Sequence, residues 1–226
     1  MGEIFQILIV TAVSIPLGIF LGCSAVYVFN HLPPKWLCEY GEEPSEALQD
    51  RAVQRIKGYP NKFIFSALFT ALGIFFGTRD YVYGLTVLFE LWLLLMIALA
   101  DQKYMVVPDQ FVIFLALFAF PMSIYKETFQ DMVYGFLLGI GVMLLAAFFG
   151  RLVMRREALG FGDVKLMGAI GLSAGLSGTA FILIAASLLS CAGFLYGIAK
   201  GRLKEEDAVP LAPYLALATA VYFFFY

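Results

Sequence analysis

Four carboxylic acids stand in or at the edge of long apolar runs: Glu90, Asp101, Asp109 and Asp163. At the centre of a hydrocarbon layer an ionisable group costs roughly 2.5–3.5 kcal/mol on insertion scales, so each is a candidate for chemistry. Asp101 closes the run Ala98-Leu99-Ala100-Asp101-Gln102-Lys103-Tyr104, and Asp163 follows a glycine turn in Gly160-Phe161-Gly162-Asp163-Val164-Lys165-Leu166. Taken singly, the first reads as a charged stop at an interface and the second as a helix N-cap. As a pair they read differently. Two carboxylates a few ångströms apart cannot both ionise easily, so one holds a proton while the other stays a base. The base draws a proton from water, the acid polarises a carbonyl, and the water adds to it, which is hydrolysis of a peptide bond by carboxyl groups alone. Gly160 and Gly162 suit that use by letting backbone approach an extended peptide or by permitting positive φ. Asp109, after Pro108, is expected as the cap of the next helix. Glu90 lies eleven residues before Asp101, on the same helix face and about 16 Å away along the axis. It reads as a neutral, hydrogen-bonded acid inside the bundle, with substrate docking or a water path as the competing role.

These groups need a membrane scaffold. The chain has 226 residues, 62% hydrophobic and 14% charged, with a mean hydropathy of +0.86, whereas soluble domains are about half apolar and a quarter charged. A water-soluble fold is excluded. Apolar runs at 4–29, 63–77, 81–100, 110–125, 131–150, 164–174, 179–199 and 209–226 predict an all-α, polytopic integral membrane helix bundle of about eight transmembrane helices. The runs 63–77 and 164–174 are short, and seven crossings is the alternative count. The first run exceeds a signal-peptide core and follows Glu3, so it is expected as a retained span. Assigning sides alternately leaves only Arg79 and Lys126, of 15 lysines and arginines, opposite all the rest. The basic loops are then cytoplasmic and both termini extracytoplasmic, which sets Asp101 and Asp163 at one depth near the cytoplasmic face of the membrane.

The whole of 1–226 reads as one domain with a loop insert at 30–62. Inside that loop Leu48, Ala52 and Ile56 recur every four residues between Pro44 and Gly58, which predicts a short amphipathic helix on the headgroups. Glu46 and Asp50 lie in its early turns and Arg51, Arg55 and Lys57 in its late ones, as the helix dipole favours. The 21 glycines predict close packing of small residues between helices. A net charge of −2 without an arginine-rich block gives no footprint for nucleic acid. Cys23, Cys38 and Cys191 form no CxxC pair and His31 is the single histidine, so zinc is not expected.

Gly160-Phe161-Gly162-Asp163 matches the GxGD signature of membrane aspartyl proteases, and the chain resembles the type IV prepilin peptidases over most of its length. Asp101 with Pro108-Asp109 resembles that family's first catalytic aspartate and the Pro-Asp that follows it. Asp163-Val164-Lys165-Leu166 continues the second motif. Asn30-His31-Leu32-Pro33 resembles the family's Asn…Arg-Leu-Pro stretch, and 209–217, with Pro210 and Pro213, resembles its final-helix Pro-Phe-Gly-Pro-Phe-Leu-Ala. The resemblance implies an aspartic endopeptidase with Asp101 and Asp163 as catalytic pair; Gly160, Gly162, Lys165, Glu90, Asp109 and Pro213 are expected as supporting or substrate-binding positions. Its substrates would be prepilin or pseudopilin precursors, cut after a glycine at the cytoplasmic face of the bilayer. Peptide cleavage would need no cofactor, while N-methylation of the new terminus, where retained, would use S-adenosylmethionine. Many members carry two CxxC pairs in the first cytoplasmic loop, and this loop has Cys38 alone. The resemblance therefore leans toward short, single-function members.

A small secondary transporter using Asp101, Asp163 and Glu90 as proton or ion sites is the rival from another class. Its usual repeats and midplane carboxylates are not visible. A scaffold subunit of an export machine would leave the aspartates as caps.

Overall fold

The computed structural model describes all residues except 1, 39–40, 42, 45, 50–53, 127, 155–158 and 205–207. Every regular element among the described residues is helical: α1 (Gly2–His31), α2 (Glu46–Gln49), α3 (Asn61–Gly77), α4 (Tyr81–Tyr104), α5 (Asp109–Met122), α6 (Phe129–Met154), α7 (Phe161–Ala199) and α8 (Ala212–Phe225). Four of them, Ile4–His31, Tyr81–Tyr104, Phe129–Leu152 and Phe161–Ala199, are long and apolar enough to cross a membrane, and α3, α5 and α8 are shorter apolar helices. Large apolar side chains such as Phe5, Phe20, Leu145, Phe148 and Leu188 face outward while Glu90 and Asp101 are buried. That inversion suits a hydrocarbon solvent. The protein is a multi-pass membrane protein.

The chain divides into two compact units, Met1–Met96 and Ile97–Tyr226. In the first, α1 and α3 run against each other along a seam of small residues. A Cβ at Gly18 would strike the Thr70 backbone and one at Gly22 the Ser66 backbone, while Gly73 faces Ser14 and Gly77 faces Val10. These partners recur about every four residues on both helices, so one stripe of each lies in contact throughout, as the glycine content predicts. Trp92 donates from Nε1 to the Leu21 carbonyl at 3.0 Å and ties α4 to α1. Asp80 caps α4 by accepting the Tyr83 amide at 2.8 Å.

The loop after α1 is closed at its base. Asn30 Nδ2 donates to the Ile56 carbonyl at 3.0 Å and its Oδ1 accepts the Ile56 amide at 2.8 Å. Arg55 Nη1 donates to the Leu32 carbonyl at 2.6 Å and to that of Phe29 at 3.2 Å, and its Nη2 to Leu48 at 3.3 Å. The bonds to Phe29 and Leu32 satisfy carbonyls at and just past the end of α1. The amphipathic helix expected through Ile56 is not formed. Only Glu46–Gln49 is helical, 50–53 lie outside the described residues, and Gln54 to Gly58 are irregular. The Asn30 and Arg55 bonds hold this stretch in a non-helical path.

In the second unit α6 and α7 are in backbone contact. A Cβ on Gly135 would fall on the Gly171 carbonyl oxygen, and one on Gly139 would lie 2.7 Å from the Met167 oxygen. Between 164 and 199, where two runs are expected, α7 is a single helical element interrupted at Gly175, with φ 71 and ψ −175. Only glycine adopts that conformation without strain. Both broken ends are satisfied by charge of the right sign. At the carboxyl end of the first half, the Ala174 carbonyl accepts from Lys126 Nζ at 2.8 Å and from the Tyr222 hydroxyl at 3.0 Å. At the amino end of the second half, the Leu176 amide donates to Asp131 Oδ1 at 2.9 Å. A cation at a helix C-terminus and an anion at an N-terminus both oppose the helix dipole.

Candidate active site

Asp101 lies one turn before the end of α4 and is 5% exposed. It does not stop the helix, which continues to Tyr104. Its Oδ2 accepts the backbone N–H of Ala212, the first residue of α8, at 2.8 Å. α8 has no side-chain cap from its own preceding residue, Leu211. Asp101 thus occupies one of the amides that a helix start leaves without an intrahelical partner. The 209–217 stretch matters to the site through this backbone group, with Pro213 directly after it.

Asp163 lies in the first turn of α7, whose N-cap is Gly160 with φ −71 and ψ 143 and no side-chain cap bond. The N-cap role considered for Asp163 is therefore not realised. Its amide donates to the Gly160 carbonyl at 3.2 Å, and its Oδ1 is buried without a hydrogen-bond partner. A buried carboxylate oxygen in that state costs free energy, and such atoms call for a functional explanation. Both acids belong to the compact unit Ile97–Tyr226.

Neither glycine of the turn has positive φ, so the conformational freedom expected of them is not what the turn uses. A Cβ at Gly160 would meet only Asp163 Oδ2 at an ordinary 3.8 Å, whereas one at Gly162 would lie 2.8 Å from Val107 Cβ. Gly162 is needed for close approach of the 105–108 link. Asp109 is not a cap either, since Pro108 holds the N-cap position of α5 and no side-chain cap bond forms. Its two oxygens accept from Lys165 Nζ, each at 2.9 Å. Lys165 also sits over the Phe161 ring, 5.2 Å from its centroid.

Glu90 is 1% exposed on α4 and belongs to the first compact unit, whereas Asp101 belongs to the second. Sequence reasoning names Asp101, Asp163, Lys165 and Asp109, and the structure adds to their surroundings the Ala212 amide and Val107, which it missed. The proline-flanked Leu211-Ala212 and the Val-Val-Pro before Asp109 were the available signals. Among the described residues no group of three or more His, Cys, Asp or Glu is placed to hold a metal ion.

Residues 87–198 match the family model described as the type IV leader peptidase family. The chain is 40% identical over 70 residues to a prepilin leader peptidase/N-methyltransferase of Xanthomonas campestris, covering 30% of this chain and 24% of the relative. It is 32% identical over 95 residues to the leader peptidase HopD of Salmonella typhimurium, covering 41% and 60%. A prepilin leader peptidase/N-methyltransferase of Bacillus subtilis is 29% identical over 160 residues, covering 69% and 60%. The chain thus spans from about a quarter to three fifths of the length of these relatives. No solved structure matches it.

Proposed function

Residues 87–198 of this chain belong to the type IV leader peptidase family, and on that premise we propose that the protein is an aspartic endopeptidase that removes the leader from prepilin-like precursors. The observation that carries the reading is the burial of two acids from different helices of one compact unit, Asp101 anchored by the Ala212 amide and Asp163 with a buried oxygen unpartnered, which we read as a catalytic pair. The pair shares one proton. The anionic carboxylate takes a proton from water, and the oxygen adds to the scissile carbonyl as the protonated carboxyl gives its proton to the carbonyl oxygen. The proton taken from water then passes to the amide nitrogen while a hydroxyl of the tetrahedral intermediate returns its proton to the other carboxylate, the C–N bond breaks, and a leader with a new carboxyl terminus leaves a free amine on the mature chain, with the pair again holding one proton. The apolar surroundings strengthen each of these interactions.

We place the reaction at the cytoplasmic face of the inner membrane, in a single domain of about eight crossings with both termini outside. The near absence of lysine and arginine from the other side, where only Arg79 and Lys126 fall, supports that placement. The substrates are prepilins or pseudopilins presented from the bilayer. Methyl transfer is left out of the proposal, because the 30–62 loop has Cys38 alone where the resemblance leads to two CxxC pairs. Transport is disfavoured by the break in α7. A transporter would offer broken helix ends to an ion or substrate, whereas here Lys126, Tyr222 and Asp131 occupy them.

The test is processing of a prepilin precursor in membranes, with expression matched by blot. Asp101→Asn and Asp163→Asn should each abolish cleavage, and the double variant should be no worse, because residues that act as one unit fail together. Substantial cleavage by either single variant at normal abundance would falsify the dyad.

A further inference from the structure

The two aspartates are held in different ways. Asp101 has the Ala212 amide on its Oδ2 at 2.8 Å, whereas Asp163 Oδ1 has no partner. The aim of Asp163 therefore depends on the backbone turn that carries it. Two contacts from the 105–109 segment hold that turn. Val107 packs against Gly162, with no room for a Cβ, and Asp109 takes both its bonds from Lys165.

The 105–108 link is itself the continuation of the helix bearing Asp101. It leaves α4 through Met105, in the left-handed region at φ 55, whose amide donates to the Asp101 carbonyl at 2.8 Å. A non-glycine residue there is uncommon and persists only where its surroundings impose it. The end of α4, the link, the first turn of α5, the ion pair and the first turn of α7 thus form a closed frame with one aspartate on each side. The Asp109–Lys165 pair is its polar closure, and the Phe161 ring 5.2 Å from Lys165 Nζ keeps the ammonium on the turn.

We propose that Asp109 and Lys165 are a positioning pair that fixes the 160–163 turn against the 105–108 link and so sets the approach of Asp163 to Asp101. The proposal rests on the peptidase reading above. Side chains of Lys165 and Asp109 are 40% and 46% exposed, so the survivor of a single substitution stays hydrated. An ion pair this open contributes little to stability. A positioning role therefore separates from a bracing role: the chemical step suffers while the fold does not.

The experiment uses the full chain purified in detergent, with a type IV prepilin precursor as probe. Asp109→Asn and Lys165→Met should each lower kcat about tenfold or more, with KM within about twofold and an unchanged thermal midpoint. Asp109→Glu and Lys165→Arg, which keep the pair, should recover kcat to within about threefold, and Asp109→Asn with Lys165→Met should lose no more than the worse single. Wild-type kcat in either single variant overturns the proposal. So does a raised KM at constant kcat, which would assign the pair to substrate binding. A lowered midpoint with unchanged kcat per active molecule would make it a brace and overturn it equally. If the unsubstituted protein does not cleave the precursor, the peptidase reading falls and takes the proposal with it; wild-type cleavage matched by the variants overturns the positioning role alone.

Discussion

The broken helix α7 can be tested by removing the two donors that share the Ala174 carbonyl. Lys126→Met deletes the shorter bond, 2.8 Å, and with it the contact of the ammonium with the Tyr226 ring at 4.3 Å. A hydrogen bond from a charged group contributes about 1.5–3 kcal/mol. Part of that is returned because a charge no longer has to be buried, so the expected loss is about 1–2 kcal/mol. Tyr222→Phe deletes the 3.0 Å hydroxyl bond, a neutral donor for which about 0.5–1.5 kcal/mol is expected. Each single variant leaves the carbonyl one side-chain donor. The double variant leaves it none in an apolar interior, which adds about 1–3 kcal/mol for an unsatisfied acceptor. The 3.4 Å bond from Lys126 Nζ to the Tyr222 hydroxyl is lost in both singles and counted twice in their sum, so the combined loss should exceed the sum of the singles by somewhat less than that amount. The assay is unfolding of the purified protein by SDS titration in mixed micelles, arranged as a double-mutant cycle. Additive losses, or a double variant less damaged than the sum, would refute the shared-acceptor reasoning. Asp131→Asn should be nearly neutral and Asp131→Ala should cost about 1 kcal/mol, because asparagine still caps the Leu176 amide.

Gly135→Ala should destabilise by about 1–3 kcal/mol or more through overpacking against the Gly171 backbone, while Gly141→Ala, with open space around it, should be neutral or slightly stabilising; the same unfolding assay reads both. Cleavage should survive EDTA, since the proposed reaction uses two carboxylates, and loss of activity restored by added zinc would overturn that. In a variant lacking Cys23, Cys38 and Cys191, an impermeant thiol reagent applied from outside should label Thr128→Cys and not Gln102→Cys, and the reverse pattern would overturn the topology.

What the sequence made legible follows from which forces act locally. Apolar length sets the helices, so among the described residues the eight runs fall in seven apolar helices, two of the runs sharing α7, whose interruption falls at Gly175, where φ 71 with ψ −175 suits glycine. Helix ends were less legible. Asp101 looked like a stop because hydropathy falls there, yet the backbone continues to Tyr104 since its carboxylate finds Ala212, a partner far along the chain. The four-residue recurrence of Leu48, Ala52 and Ile56 suggests a helix, but Asn30 binds the Ile56 backbone and Arg55 the Leu48 carbonyl, and no periodicity reports such bonds. Asp109 was read as a cap from its place after Pro108. Its pairing with Lys165 depends on how α5 and α7 meet, which spacing along one helix does not encode.

The two-way bond between Asn30 and Ile56 makes the intervening segment a loop with a fixed base. Its ends are joined by side chain and backbone whatever lies between them, and Gly41, at φ 93 with nothing within 4 Å of a would-be Cβ, stands at an open point of the chain. Doubling the length of such a loop costs only about 0.6 kcal/mol in closure entropy. The base is thus a socket into which a folded module could be spliced or from which one could be cut, with the helices on either side unaware of the exchange. Size variation within this family would then be expected to concentrate between these two residues, and a fluorescent protein grafted at Gly41 should leave the membrane part assembled.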